Sequence, residues 1–311
     1  MSGGTIDDNA ASVLLATIPD IKLKTIQISN SDTLYQYAIQ NQWKIQTFIG
    51  SPQVKVGLSK ARAFNPFPWE YRNDGYLVWK SSILNTIADR PDWPPYPPGD
   101  QLLRNRLAQA YRAKQKLTVL ATAPLTPLAN LLKQNPHLKG AIRRLIWMGG
   151  AINVPGNLDP DTIPPEIANP KAEWNAFWDP FAVDWIFKNT SFPITLFPLD
   201  VTDEAKLDPQ FLKDLAAQSP SYKYSALVSS LYGLVQGEPY FEMWNTLTAS
   251  YLGRPDIFEA PTPMRLNIVT EGYWQGTISQ APEGGRKVEV IFNVSNPESF
   301  YEYVLTQLRR N

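Results

Sequence analysis

The sequence predicts an α/β protein with a mostly parallel sheet covered by helices on both faces. Two observations carry this. Short apolar, β-branched runs alternate with longer segments of helical character along the chain, the pattern of parallel strands joined by helical crossovers. Hydrophobic residues make up 43% of the 311 residues and charged ones 19%, enough apolar side chain to build a sizeable core and too much for disorder.

The elements follow in order. Asn9 to Ile18 is apolar-rich and halts at Pro19, which reads as a helix. Ile21 to Ser29 alternates with β-branched residues and reads as a strand, and Gln53 to Gly57 is a second strand before an aromatic loop, Phe64 to Tyr76. Gln101 to Lys114 is an amphipathic, basic helix. Leu117 to Ala123 is an apolar strand, followed by Pro124 and a helix through Leu132. Arg144 to Met148 is the next strand, ending at Gly149-Gly150. Asp179 to Phe187 reads as a helix and Ile194 to Leu199 as a strand. Strands at Leu266 to Thr270 and Lys287 to Asn293 lead into a final helix, Pro297 to Arg309. No repeat, low-complexity tract or linker interrupts this order, so residues 1–311 read as one domain.

Composition narrows the function. Lys plus Arg and Asp plus Glu are equal at 29 each, leaving no electrostatic footprint for nucleic acid or an anionic membrane. No apolar run reaches the roughly 18 residues that span a bilayer, and no secretory leader is readable. With no Cys there is neither a disulfide framework nor a thiolate nucleophile or zinc cluster, which fits a cytoplasmic enzyme. Pro occurs 28 times, about twice its roughly 5% average usage, and gathers in connections such as Pro91 to Gly99. Long ordered loops of this kind are the usual home of binding sites.

Polar clusters fall at the ends of the predicted strands, where ligands bind in open α/β sheets. Gly3-Gly4-Thr5-Ile6-Asp7-Asp8 places two carboxylates at the start of a helix. They suit the positive end of the helix dipole, with Thr5 and Asp8 in a capping pattern; equally, one could ligate a hard cation while its neighbour holds a substrate hydroxyl. Further along come Pro124-Leu125-Thr126, Met148-Gly149-Gly150-Ala151, Val154-Pro155-Gly156-Asn157, Ala172-Glu173-Trp174-Asn175 and Asp179-Pro180.

In order and spacing these motifs resemble the inosine-uridine-preferring nucleoside hydrolase family over nearly the whole chain. The resemblance implies a nucleoside hydrolase-like fold and Ca²⁺-assisted attack of water at C1′ of a nucleoside, through an oxocarbenium-like transition state. It implies Asp8, the Thr126 carbonyl and Asn245 as metal ligands, and Asp7 as the carboxylate on the ribose 2′-hydroxyl. Asn157, Glu173 and Asn175 match ribose-binding groups, Met148 lines that pocket, and Asp32 matches a ribose- or base-side position. Trp244 stands where many relatives carry a catalytic His, which resembles the purine-preferring branch. There an aromatic sandwich holds the base and favours its protonation by solvent; Tyr71, with Trp69 beside it, would be the second ring. Core packing beneath a loop explains the same aromatics equally well. The resemblance further implies a small-molecule nucleoside as partner and a homo-oligomer, dimer or tetramer.

Two departures stand out. Relatives open with a strand ending in Asp-x-Asp, whose second Asp is a calcium ligand and general base; Gly3, or Ser2 with a longer turn, takes that place here. Asn245 stands in place of a ligating Asp. Either the sequence begins downstream of that strand, or the chain binds nucleosides with little turnover.

Overall fold

Helix α1 (Ile6–Thr17) starts three residues before the apolar stretch that announces it, because its N-cap Thr5 closes a capping box with Asp8. This puts Asp7 and Asp8 inside the first turn. The computed structural model describes residues 1–67, 72–158, 164–238 and 241–310. After α1 come β1 (Thr25–Asn30), α2 (Tyr35–Phe48), β2 (Lys55–Arg62), α3 (Asp74–Trp79) and α4 (Gly99–Arg112). The middle of the chain holds β3 (Leu117–Ala121), α5 (Thr126–Gln134), β4 (Ile142–Met148), α6 (Trp174–Trp178), α7 (Pro180–Asn189), β5 (Ile194–Phe197) and α8 (Leu199–Thr202). Helices α9 (Pro209–Gln218), α10 (Lys223–Tyr232) and α11 (Trp244–Ser250) precede β6 (Thr262–Ile268), β7 (Ile278–Gln280), β8 (Arg286–Val290) and α12 (Pro297–Gln307).

The larger sheet has the order β3-β4-β5-β8-β6-β7, and β1 and β2 form a separate parallel pair. Strands β3, β4, β5 and β8 run parallel, as expected. The β6 and β7 edge is antiparallel, so the sheet is mixed. Residues alternate between its faces: Leu145 and Trp147 of β4 enter one apolar core with residues of α4, α5 and α7, while Ile146 enters the other with residues of α1 and α9 to α12. The helices therefore cover both faces.

Between β1 and β3, where the resemblance puts a further strand, stand Met1 and Ser2. The Ser2 amide donates to the Gln27 carbonyl at 2.9 Å, Ser29 donates to the Ser2 carbonyl at 2.9 Å, and Thr122 donates to the Met1 carbonyl at 3.0 Å. Ser2 thus pairs in parallel with both Ile28 and Thr122 and links the two sheets.

Helix α2 is absent from the sequence reading for a physical reason. Its buried residues include Gln40, Asn41, Gln42, Lys44 and Gln46, so it carries no apolar stripe. Lys44, only 2% exposed, is held by Asp89 at 2.7 Å. Strand β7, with three residues, is too short for alternation to register.

Candidate active site

The turn before α1 sets the site. Gly4 has φ +86°, and a Cβ there would come within 2.5 Å of the Ala38 side chain, so the position needs glycine on both counts. The turn delivers Asp8 with Oδ2 accepting from the Thr5 amide at 3.1 Å and the Thr5 hydroxyl at 2.9 Å. Asp8 Oδ1 accepts from Thr122 Oγ1 at 2.5 Å, just past the end of β3. Burial raises the Asp8 pKa, against the pull of these donors.

Asp7 points elsewhere. Its Oδ1 accepts from the Tyr232 hydroxyl at 2.8 Å and from Thr246 Oγ1 at 2.6 Å. Its Oδ2 accepts from the backbone amides of Asn245 and Thr246. Asp7 thereby clamps the start of α11 to α1, and it is 1% exposed. Burial pushes its pKa up to about 6, opposed by the Thr246, Tyr232 and Asn245 donors.

A cavity of about 480 Å³ opens beside this junction. Seven residues singled out from the sequence line it: Asp32, Met148, Asn157, Glu173, Asn175, Trp244 and Asn245. Asp7, Asp8 and Thr126 do not line it, although the partners of Asp8, Thr5 and Thr122, do. Tyr71 and Trp69 lie outside the described residues. A second cavity, about 410 Å³ between the end of α1 and α12, contains none of these residues.

The polar groups of this cavity wall are held in place by backbone. Glu173 caps α6: its Oε1 accepts from the Asn175 amide at 2.9 Å, and its Oε2 accepts from Gly150 at 2.8 Å and Ala176 at 3.2 Å. Gly150 has φ +82°, which turns its amide onto that carboxylate. Burial pushes the Glu173 pKa up to about 7 despite the three donors. Asn175 Nδ2 donates to the Met148 carbonyl at 3.2 Å, and Asn157 Oδ1 accepts from the Trp174 amide at 3.2 Å. Gly156 lets Asn157 run against Ala172, since a Cβ at Gly156 would fall 2.0 Å from the Ala172 carbonyl oxygen.

Thr126 opens α5, and its hydroxyl donates to Asp179 Oδ2 at 2.6 Å, leaving only its backbone for a ligand. Asp32, after β1, accepts from the Ser31 hydroxyl at 2.8 Å. Its pKa is pushed up to about 7 by burial and by the charge of Asp8. Trp244 donates its indole N–H to Asp203 at 3.0 Å and meets Phe241 edge-on at 5.4 Å. Across the cavity Phe67, Trp174 and Trp178 form a second aromatic group, with Phe67 at 4.8 Å and 5.0 Å from the two indoles. His137 packs edge-on against Tyr111 at 5.2 Å and does not line the cavity.

Sequence reasoning missed Thr122, Phe67, Trp178, Asp74, Glu238 and Phe241, all of which line the cavity. Thr122 could have been found as the polar residue closing an apolar strand at its carboxyl end. Phe67, Glu238 and Phe241 sit in loops, Trp178 ends α6 and Asp74 starts α3, and their convergence leaves no local signal.

The oxygen chemistry fits a hard cation. Among the described residues Asn245 Oδ1 is buried with no hydrogen-bond partner, and the cavity lining has carboxylates but no Lys, Arg or His. The Met1 ammonium is drawn toward Asp8, yet burial lowers its pKa to about 6. Among the described residues no three His, Cys, Asp or Glu side chains converge enough to hold a metal alone, so a cation here would lean on neutral oxygens.

A family profile described as "Inosine-uridine preferring nucleoside hydrolase" matches residues 3–302. The chain is 26% identical to the pyrimidine-specific ribonucleoside hydrolase RihA of Klebsiella pneumoniae (strain 342) over 280 residues, covering 87% of this chain and 83% of that one. It is 31% identical to the RihA of Shewanella baltica (strain OS185) over 261 residues, covering 82% and 76%. The solved inosine-uridine preferring nucleoside hydrolase from Bacillus anthracis superposes with a TM-score of 0.87 at 28% identity, over 99% of this chain and 97% of that one. The cavity residues, the mixed sheet that carries them and these matches agree: the chain belongs to the inosine-uridine preferring nucleoside hydrolase family.

Proposed function

We propose that this chain hydrolyses the N-glycosidic bond of ribonucleosides, releasing free base and ribose. The carrying observation is that one cavity is lined by Asn157, Glu173, Asn175 and Asp32 together with the aromatic residues Phe67, Trp174, Trp178, Phe241 and Trp244. Asn157, Glu173 and Asn175 bind and orient the ribose hydroxyls. Glu173 stabilises the positive charge that develops on the sugar as the C1′–N bond lengthens. Asp7 acts through α11, fixing the helix start that presents Trp244 and Asn245 to the cavity.

A Ca²⁺ ion held by Asp8, the Thr126 carbonyl and the Asn245 amide oxygen would supply Lewis acidity that orients the ribose diol and acidifies a water. In the hydrolysis a water adds its oxygen to C1′ and gives up a proton to solvent, the C1′–N bond pair leaves with the base, and the base takes a proton from solvent. Trp244 and Phe241 provide a face for a bicyclic base, which favours purine nucleosides. The two RihA relatives carry the name pyrimidine-specific, so the panel that tests the reading must span both classes.

A second reading, a nucleoside-binding protein of the same fold with little turnover, is favoured by Gly3 and Asn245, where carboxylates are expected. Reducing-sugar release from inosine, guanosine, uridine and cytidine with added Ca²⁺, beside calorimetric binding of the same nucleosides, separates them. Binding without ribose release favours the second reading; neither binding nor release overturns both.

A further inference from the structure

The space above Gly3 is already taken. A Cβ at Gly3 would stand 2.7 Å from Asp32 Oδ1 and 3.0 Å from Asp8 Oδ2, so the carboxylates of Asp32 and Asp8 converge on one small volume over the glycine. These two acids come from different parts of the chain, one following β1 and the other in the first turn of α1. Among the described residues neither forms an ion pair with a cationic side chain. Such a pair of acids needs a positive partner or a shared proton.

An independent feature points to the partner. Asn245 lines the same cavity as Asp32, is 7% exposed, and its Oδ1 accepts no hydrogen bond from any described residue. An unsatisfied buried amide oxygen is destabilising unless a ligand meets it. A proton shared between the carboxylates would leave Asn245 unsatisfied. A hard cation would satisfy all three groups, since such ions take carboxylate and amide oxygens together.

We propose that Asp32 is a cation-ligating residue, acting with Asp8 and the Asn245 amide oxygen in place of the carboxylate that Gly3 lacks. This rests on the reading of the cavity as a cation-assisted nucleoside site, but it assigns Asp32 to the ion and not to the ribose or base. Position 3 and position 32 then supply one carboxylate between them, because any side chain at Gly3 would displace that of Asp32.

The test is calorimetric titration of Ca²⁺ alone, with melting temperatures, on the wild type, on Asp32→Asn and on the double variant Gly3→Asp/Asp32→Ala. Asp32→Asn should weaken Ca²⁺ binding by about tenfold or more, since affinity follows ligand charge. The double variant should recover to within about threefold of wild type, because the carboxylate returns from the other side of the same volume. A wild type that binds no Ca²⁺, or an Asp32→Asn that binds within about twofold of it, overturns the assignment. If Asp32→Asn loses both binding and fold, the double variant decides: a folded double variant as weak as one lacking the carboxylate also overturns it. Nucleoside hydrolysis is scored separately. Ca²⁺ binding that follows this pattern without ribose release removes the hydrolase reading and leaves the cation site standing.

Discussion

The Tyr232 hydroxyl donates to Asp7 Oδ1 at 2.8 Å across 225 residues of sequence, tying the last residue of α10 to the first turn of α1. Thr246 Oγ1 lies 2.8 Å from the same hydroxyl, so the three side chains form one buried network under the cavity. Tyr232→Phe removes a donor from a buried carboxylate and should cost about 1.5–3 kcal/mol, the range for hydrogen bonds to charged groups. Urea unfolding at pH 7 measures it. A loss near zero would mean that water replaces the hydroxyl.

Glu173 gives a pH signature. Its pKa is raised from 4.5 to about 7, so between those values the folded state holds a proton that the unfolded state has released. Stability should therefore fall as pH rises from about 4.5 to about 7, by about 3 kcal/mol for this group, and level off above. In Glu173→Gln that contribution to the slope disappears, even though the amide suits the backbone donors at Gly150, Asn175 and Ala176 poorly. Unfolding free energies of both proteins at pH 4.5, 6 and 8 provide the comparison. Parallel curves would show that Glu173 titrates normally.

Trp244 separates base binding from sugar binding. Trp244→Ala should weaken purine nucleosides by roughly 1–3 kcal/mol, the range for a base stacked on an aromatic ring, and leave free ribose nearly unchanged. Calorimetry with inosine and with ribose reads the two terms. Equal losses for both ligands would mean that Trp244 shapes the whole cavity through Asp203 and Phe241.

Thr126 divides side chain from backbone. Thr126→Val breaks the 2.6 Å bond to Asp179, the residue that caps α7 through the Ala182 amide. The expected cost is about 1–3 kcal/mol for a buried acceptor losing its donor. Calcium affinity should stay close to wild type, because the ligand assigned at this position is the carbonyl. A melting curve and a Ca²⁺ titration together settle it; a large loss of affinity at full stability would assign the hydroxyl to the ion.

The alternation of strands and helices, the strand end at Met148 and the capping pattern of Thr5 and Asp8 are local properties, and the sequence alone determined them. Each depends on a few neighbouring residues: β-branched runs, a hydroxyl or carboxylate before a helix, a glycine after a strand. That Asn157, Glu173 and Asn175 line one cavity was legible for the same reason, since they lie within 19 residues of one another in a motif of ordered turns. Only the tertiary structure decided where Asp7 and Asp32 point. Asp7 turns from the cavity because the start of α11 offers two amides and a hydroxyl to a carboxylate more than two hundred residues away. Asp32 turns over Gly3 because that residue has no side chain to keep it out. The same holds for α2, whose buried Asn41, Gln42 and Lys44 donate to Gly75, Asn9 and Asp89, partners that no periodicity reveals. A polar side chain is committed by whichever distant donor or acceptor packing brings within about 3 Å, and packing is a property of the whole chain.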